Sequence, residues 1–392
     1  MTSTSRGKIF GNGLIGIESN NFINDGCRTN YGNMVCCAIL NETNAAYSIE
    51  SATILQPRKN RCSTTKVYIP STYENDQFEI ARRFDNITDF ALRKRSFKDF
   101  VSSKKDLNDS YNWVSSVRRR MRFGQTENND LDFHYLSRFK FTRICPGRGE
   151  ESSWNEWIEP ISVHARNPFS LLNCNMDKKG ILKSLRHFSK TITDVNVMNT
   201  DHVLLHYDQR SQSTRGRNFM LDAGTSSFGS SLWWFTCMYL HRNITFDKIY
   251  GWEYTLLEPK AFWSEVPKKI ISRYHFYNAG MSDNMTDWNS PLRIVEQIAT
   301  QTDFVSFKLD IDNGDVEIAT LLKIMQNKLL QDLIDEFFFE LHFRCEVMLT
   351  CGWEYDSVRV PEEILGVKLS RTNVMTIFQR LRIMGIRSHF WP

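Results

Sequence analysis

The sequence lacks the apolar segments that place a chain in a membrane or a secretory pathway. No run in its 392 residues approaches the ~18–20 apolar residues of a membrane span, and the start, residues 1–6, has no apolar signal-peptide core. We therefore expect no membrane span and a cytoplasmic location. Sequons leave a secretory compartment open; they begin at Asn41, Asn86, Asn108, Asn243 and Asn284.

Cysteine spacing and net charge also exclude some classes of site and partner. The nine cysteines, including the adjacent Cys36 and Cys37, form no CxxC pair and lack the His spacing of a zinc site. We expect them to be reduced and mostly structural thiols, and we predict no metal site. With 49 basic and 45 acidic residues, the net charge of +4 indicates no nucleic-acid partner. The 41% hydrophobic residues suffice for a sizeable core.

The stretch from residue 218 to residue 231 predicts a nucleotide-type pocket. An apolar run ends at Asp222, a turn follows at Gly224, and an aromatic helix begins near Phe228. A strand that stops at this acid places the N–H groups of a helix N-terminus over a crevice at the strand's carboxyl end. The rest of the C-terminal half is organised around this stretch.

Further short apolar runs alternate with helical patterns, which favours a doubly wound, mostly parallel sheet. After the strand that ends at Asp222, the predicted strands two to five cover residues 247–253, 274–278, 303–310 and 336–342. A late helix from about Thr372 to Met384, ended by Gly385, precedes a final strand over 386–391. We therefore predict an α/β protein with a Rossmann-like domain over 201–392 and an N-terminal accessory region over 1–200.

The accessory region contains a Gly-rich segment, residues 145–160, that we predict to be a loop. It carries Trp154 and Trp157, and His164 and Arg166 follow it. A loop that presents Trp, His and Arg is typical of an acceptor-binding lid, and a domain junction packed by its aromatic residues is the alternative. The other predicted elements are a few strands over 1–80, a helical stretch over 78–123 and a flanking strand over 203–207.

Four motifs follow one another in the C-terminal half. They are Asp222-Ala-Gly224, Trp252-Glu253, Phe307-Lys-Leu-Asp-Ile-Asp312 with Glu317 close behind, and Phe339-Glu-Leu-His342. In this order they resemble the FkbM-type class of S-adenosylmethionine-dependent methyltransferases, over roughly the last 180 residues. The resemblance implies a methyltransferase sheet, with residues 386–391 as its extra antiparallel edge strand. Phe228 stands where the family has a second Gly, so either the loop is shifted by one residue or the donor site is altered.

The resemblance implies S-adenosylmethionine as cofactor and names the residues that would hold it. Asp222, Gly224 and Ser226 would line the methionine part, and Asp283 would face the adenine amino group. Glu253 would take both ribose hydroxyls, as an acid about 20 residues past a Gly-rich turn does in dinucleotide folds. A carboxylate suits this role because it only accepts hydrogen bonds.

The acceptor side is predicted at the end of strand four. Asp310 and Asp312 lie where methyltransferases place acceptor-facing groups, and Asp310 or His342 is the expected base for a hydroxyl acceptor. Lys308 is expected to pair with Glu340 or Asp310. The implied reaction is O-methylation of a hydroxyl on a sugar or small metabolite, so the expected partner is a small molecule or a glycan.

Two other functions fit parts of this pattern. Asp310-Ile-Asp312 is also the Asp-x-Asp pattern with which a nucleotide-sugar glycosyltransferase holds magnesium or manganese on a diphosphate. That function does not explain Asp222 or Glu253. The third hypothesis is a methyltransferase-like fold that binds without catalysing, which Phe228 and the long, aromatic N-terminal half would favour.

Overall fold

The computed structural model describes residues 63–86, 130–145, 151–161, 200, 203–206, 216–341, 363–364, 367–368 and 370–391. Within the first half, three strands form an antiparallel sheet in the order β1-β2-β3, namely β1 Ser63–Ile69, β2 Ser137–Ile144 and β3 Glu151–Ile158. Two helices accompany this small sheet, α1 Thr72–Asn86 and α2 Asp130–Tyr135.

The second half is built on a larger, doubly wound sheet. Its first five strands are β4 Asn218–Ala223, β5 Lys248–Trp252, β6 Tyr274–Tyr277, β7 Phe304–Leu309 and β8 Glu336–Phe339. Two paired strands of two residues each, β9 Glu363–Ile364 and β10 Val367–Lys368, precede the last strand, β11 Arg387–Phe390. The helices are α3 Trp233–Leu240, α4 Pro259–Glu265, α5 Lys268–Ile271, α6 Pro291–Ile298, α7 Gly314–Gln326, α8 Lys328–Leu333 and α9 Arg371–Ile383.

The two central strands, β4 and β7, are buried along their whole length. Alternate residues of β4 enter different cores: Phe219 and Leu221 pack with helices α6, α7 and α9, whereas Met220 packs with α3 on the other face. A strand covered on both faces is expected to read as a continuous apolar run. The predicted α/β class with a mostly parallel sheet is therefore confirmed.

The strand order is β11-β8-β7-β4-β5-β6, and every neighbouring pair in this sheet is parallel. The expected antiparallel edge strand over 386–391 is wrong, because β11 runs parallel to β8. Helix α9 carries the chain back to the edge of the sheet at which the strands begin. Such a crossover makes β11 run parallel to its neighbour β8. The predicted end of this helix at Gly385 is confirmed, since Gly385 has φ +101°.

Three local predictions in the first half need correction. The segment predicted as a Gly-rich loop forms β3 over Glu151–Ile158, paired along its length with β2. Residues 203–206 are largely buried but form no strand. Cys145 is disulfide-bonded, contrary to the expected reduced state. In the part of the chain that the structure describes, no helix is long and apolar enough to cross a membrane.

A buried network of charged side chains joins the small sheet to the edge of the large one. Arg382 of α9 donates to the Glu159 carboxylate at 3.1 Å and to the Tyr68 hydroxyl at 3.1 Å. Arg387 of β11 donates to the carbonyls of Trp157 and Leu204 at 3.0 and 2.8 Å. Both arginine side chains are only 2% exposed. The predicted boundary near residue 200 is thus crossed by buried polar contacts.

His389 lies at the centre of this network and is fully buried. Its Nδ1 is 2.7 Å from Glu159 Oε1 and its Nε2 is 2.8 Å from Glu336 Oε1. An ionised carboxylate only accepts hydrogen bonds, so both ring nitrogens donate and the ring is an imidazolium. Burial by itself lowers the pKa of His389, but the two carboxylates outweigh burial and raise this pKa above 6.5. Burial by itself raises the pKa of Glu159 and of Glu336. Contacts with His389 and with one arginine each, Arg382 for Glu159 and Arg387 for Glu336, outweigh burial and lower both pKa values to about 2.

Because of this network, we expect the free energy of unfolding to be largest in mildly acidic solution. The two glutamates have folded pKa values of about 2, below their usual 4.5, so their stabilisation is lost as pH falls from 4.5 toward 2. The pKa of His389 is raised above 6.5, so its stabilisation is complete below pH 6.5 and is lost as pH rises through the folded value. Denaturant unfolding between about pH 3 and about pH 9 measures both limbs.

The variant His389→Gln isolates the alkaline limb. We expect it to cost about 3–5 kcal/mol, because it leaves two buried carboxylates without their shared cation. It should also abolish the loss of stability above pH 6.5 that this residue causes. An alkaline decline of unchanged slope in the variant would show that other groups produce it.

Candidate functional site

Strands β4, β5 and β7 end side by side at the carboxyl edge of the large sheet, the place where doubly wound sheets form a ligand crevice. The loop after β4 is fixed from both sides: Gly224 and Thr225 donate to the Trp252 carbonyl at 3.0 and 2.9 Å, and Asp310 donates to the Ala223 carbonyl at 3.1 Å. Chain order reverses between β4 and β7, where doubly wound sheets place their ligands.

Gly224 allows this close approach. Its φ is +95°, and a Cβ at this position would lie 1.5 Å from the Asp310 carbonyl oxygen. Only glycine combines this backbone conformation with such a contact. The turn predicted at Gly224 is therefore confirmed, and it brings the backbone after β4 directly against the chain after β7.

Phe228, the aromatic residue expected to alter the donor site, does not fill the crevice. Its side chain is fully buried, with its ring centroid 6.3 Å from Trp233 and 5.9 Å from Tyr274. It begins a π-helical turn, Phe228–Leu232, in which Ser230 has the non-helical ψ of −121°. The turn is kinked at Ser230, and the aromatic ring of Phe228 points into the core.

Lys308 joins the two strand ends beneath the crevice. Its Nζ lies 3.0 Å from Asp222 Oδ1 and 2.9 Å from Asp310 Oδ2, and its side chain is 1% exposed. Burial lowers the pKa of Lys308, but the two carboxylates outweigh burial and raise it above its usual value. The other Asp222 oxygen accepts from the Ser231 hydroxyl at 2.8 Å. Asp222 is thus a buried anchor, and of the two predicted partners of Lys308 the structure shows Asp310.

Three carboxylates meet above Lys308. Asp310, Asp312 and Glu340 each offer an oxygen, and these oxygens lie within 4.8 Å of one another. Asp312 is exposed and has φ +57°, Asp310 is half-buried and Glu340 is buried. Hard oxygen ligands of this kind suit a divalent cation, although the Lys308 ammonium already contacts one of them.

The other predicted residues are distributed unevenly around the crevice. Glu253 is half-buried at the end of β5, where one of its carboxylate oxygens accepts from the Thr255 N–H at 2.6 Å. Ser226 is exposed on the loop after β4. Asp283 forms an ion pair with Lys323 of α7. The predicted base His342 lies outside the described residues.

The predicted acceptor lid is not at this crevice. Arg387 and Glu336 are the first residues of β11 and β8, and Arg387 donates to the Trp157 carbonyl, so Trp157 lies at the amino ends of the strands. Trp154, on the same strand β3, stacks on Phe141 at 5.1 Å. The lid prediction is wrong for Trp157, which packs at a junction with Leu204, and Trp154 stacks within the small sheet. His164 and Arg166 lie outside the described residues.

Two contributors were missed by sequence reasoning. Ser231 was not singled out, although it follows the Gly-rich turn closely enough to reach Asp222. Lys308 was expected to form an ion pair, but its link to Asp222 was not foreseen. The available signal was a lysine inside an otherwise apolar, fully buried strand, since such a charge requires an anionic partner.

A matched pair of glycines tests the loop geometry. Gly224→Ala should destabilise the protein by more than about 2 kcal/mol, because it combines an unfavourable φ with a steric clash. Gly229→Ala is the control, since its Cβ would meet only Glu265 Oε2, at 3.6 Å, and Ser227 Oγ, at 3.8 Å. Denaturant unfolding of both variants measures the difference. Equal stabilities would contradict the close approach of Gly224 to Asp310.

The chain was compared with models of protein families, with characterised proteins and with solved structures, and none of them matches it.

Proposed function

We propose that the chain is an S-adenosylmethionine-dependent methyltransferase that O-methylates a hydroxyl on a sugar or small metabolite. The observation that carries this proposal is the set of acids at three adjacent strand ends. Asp222 is the next-to-last residue of β4 and Gly224 follows this strand, Glu253 follows β5, and Asp310 follows β7. This is the arrangement of a doubly wound nucleotide site, with an acid near the ribose position.

The residues present fit this cofactor. The φ of +95° at Gly224 and the absence of a side chain there let backbone approach a ligand closely. Glu253 is half-buried and so remains accessible, and it accepts from one main-chain N–H, which leaves further lone pairs for a ribose diol. When bound, the cofactor would supply an electrophilic methyl group. Asp222 acts indirectly, by holding Lys308 and Ser231.

Asp310 is the proposed base for the acceptor hydroxyl. Its side chain is 22% exposed, so one part contacts Lys308 while another part faces the crevice. The short contact with Lys308 orients the carboxylate, and an oriented base within hydrogen-bond reach of a hydroxyl can take its proton during methyl transfer. Asp312, exposed beside it, would bind another acceptor hydroxyl. His342 stays a second candidate for the base.

Binding of S-adenosylhomocysteine tests the cofactor assignment. We expect calorimetry to detect binding to the wild-type chain, and Glu253→Ala to weaken it by about 1.5–3 kcal/mol, the scale of hydrogen bonds to a charged group. Glu296→Ala is the control, because Glu296 is exposed on α6 and contacts Asn327. Absence of heat and of thermal stabilisation with millimolar ligand would remove the proposal.

A metal-dependent nucleotide-sugar glycosyltransferase is the second candidate. The close approach of Asp310, Asp312 and Glu340 favours it, because these residues could hold a divalent cation. The Lys308 ammonium, 2.9 Å from Asp310, opposes it by placing a positive charge next to the cation position. The buried ion pair thus favours methyl transfer.

The double variant Asp310→Asn, Asp312→Asn separates the two enzymes. In the methyltransferase we expect unchanged affinity for S-adenosylmethionine and loss of turnover, because the acids act on the acceptor. In the glycosyltransferase the same variant would abolish manganese-dependent binding of a nucleotide sugar, because amides cannot offset the charge of cation and phosphates. Wild-type binding of that kind would overturn our choice. Thermal unfolding of the variant controls for its fold.

A non-catalytic binding module is the third hypothesis. Phe228 and the long, aromatic N-terminal half favoured it, since an aromatic ring at position 228 would alter the donor site. The ring packs against Trp233 and Tyr274 instead, so it gives this hypothesis no support. Failure of the chain to bind either S-adenosylmethionine or a nucleotide sugar would favour the binding module over both enzymes.

A further inference from the structure

Three of the five sequon asparagines are among the described residues, and all three are exposed. Asn86 is the last residue of α1, Asn243 lies in the turn between α3 and β5, and Asn284 lies between β6 and α6. An N-linked glycan is bulky and polar, so the fold must leave the asparagine that carries it at the surface. This requirement is met at each of the three positions.

The turn at Asn243 is held by the backbone and presents its sequon outward. The N–H groups of Asn243 and Ile244 donate to the carbonyls of Leu240 and Tyr239 at 3.1 and 3.0 Å. Ile244 is buried, whereas Asn243 and Thr245, the two residues that the sequon requires, are exposed. Asn243 has φ +63°, a left-handed conformation that asparagine adopts more readily than most residues. Both sequon side chains are thus kept at the surface.

This sequon lies at the edge of the large sheet opposite the crevice. Asn218, the first residue of β4, donates from Nδ2 to the Thr245 carbonyl at 2.9 Å. The N–H of Asp247, just before β5, donates to the Asn218 carbonyl at 2.8 Å. Because ligands of doubly wound sheets bind at the carboxyl ends of the strands, a glycan at this amino edge would leave the crevice open.

Cys145 gives an independent indication of the compartment. It directly follows β2 and is disulfide-bonded. Disulfides persist in the endoplasmic reticulum lumen and in secreted proteins, whereas cytosolic thiols are kept reduced. Glycosylated sequons are likewise a property of secreted proteins. A cytoplasmic location therefore conflicts with this bond, and a secretory compartment accounts for both features.

We propose that Asn243 carries an N-linked glycan and that the chain matures in an oxidising secretory compartment. The co-reactant is a diphosphate-linked oligosaccharide. The Asn243 amide nitrogen bonds to its anomeric carbon, the bond between that carbon and the diphosphate oxygen breaks, and the amide loses one proton to solvent as the diphosphate leaves. This modification does not depend on the proposed methyl transfer.

Peptide mass spectrometry tests the site on the full chain isolated from cells that naturally make it. We expect the peptide that contains Asn243 to carry a glycan, which peptide N-glycosidase removes while converting the asparagine to aspartate. An Asn243 peptide that occurs only in its unmodified form would overturn the proposal.

Two variants at Thr245, produced in the same cells, assign the glycan to this sequon. Thr245→Ala removes the hydroxyl that the sequon requires and should abolish the glycan, whereas Thr245→Ser keeps the sequon and should retain it. Asn243 is unchanged in both variants, so the left-handed position of the turn keeps its residue. A glycan at Asn243 in Thr245→Ala would contradict the assignment.

Thiol labelling of the denatured chain without reductant tests the compartment. Cys145 should resist labelling until a reductant is added, because its sulfur is in a disulfide. Cys237 is the control, since it is a buried reduced thiol on α3 and should be labelled as soon as the chain unfolds. Labelling of Cys145 to the same extent as Cys237 would exclude maturation in an oxidising compartment.

Discussion

The ion pair of Lys308 with Asp222 and Asp310 is the interaction on which the candidate site depends. An ammonium that is 1% exposed is costly to bury unless carboxylates surround it. Here the carboxylates come from the ends of two different strands, β4 and β7. The pair therefore fixes the separation of the strand ends, and Gly224 fits between them only because it has no side chain.

A second group of buried charges has a mechanical role. Arg382, Arg387 and His389 bind the glutamates Glu159 and Glu336, which belong to the small sheet and to β8. This network lies at the amino ends of the strands, opposite the crevice. The first half of the chain thus completes the edge of the large sheet, and Trp157 lies at this junction, away from the crevice.

Because of these two constraints, the buried and the accessible acids at the crevice have different roles. Asp222 is fully buried and anchors Lys308, so the accessible positions are left to half-buried Glu253 and exposed Asp312. Asp310 lies between the two groups, since it contacts the buried ammonium and also reaches solvent. Such a gradient from buried anchor to accessible acid holds the accessible groups in fixed positions before any ligand arrives.

The sequence by itself determined the parallel α/β core, the turn at Gly224 and the strand-end positions of Asp222, Glu253 and Asp310. These features depend on local apolar runs and turn residues, which act over a few positions along the chain. Only the tertiary structure decided the direction of β11, the inward course of Phe228, the pairing of Asp283 with Lys323 and the place of Trp157. Each of these depends on contacts between residues far apart in sequence, such as Arg387 with Trp157, whose energies come from burial and charge pairing and leave no local pattern.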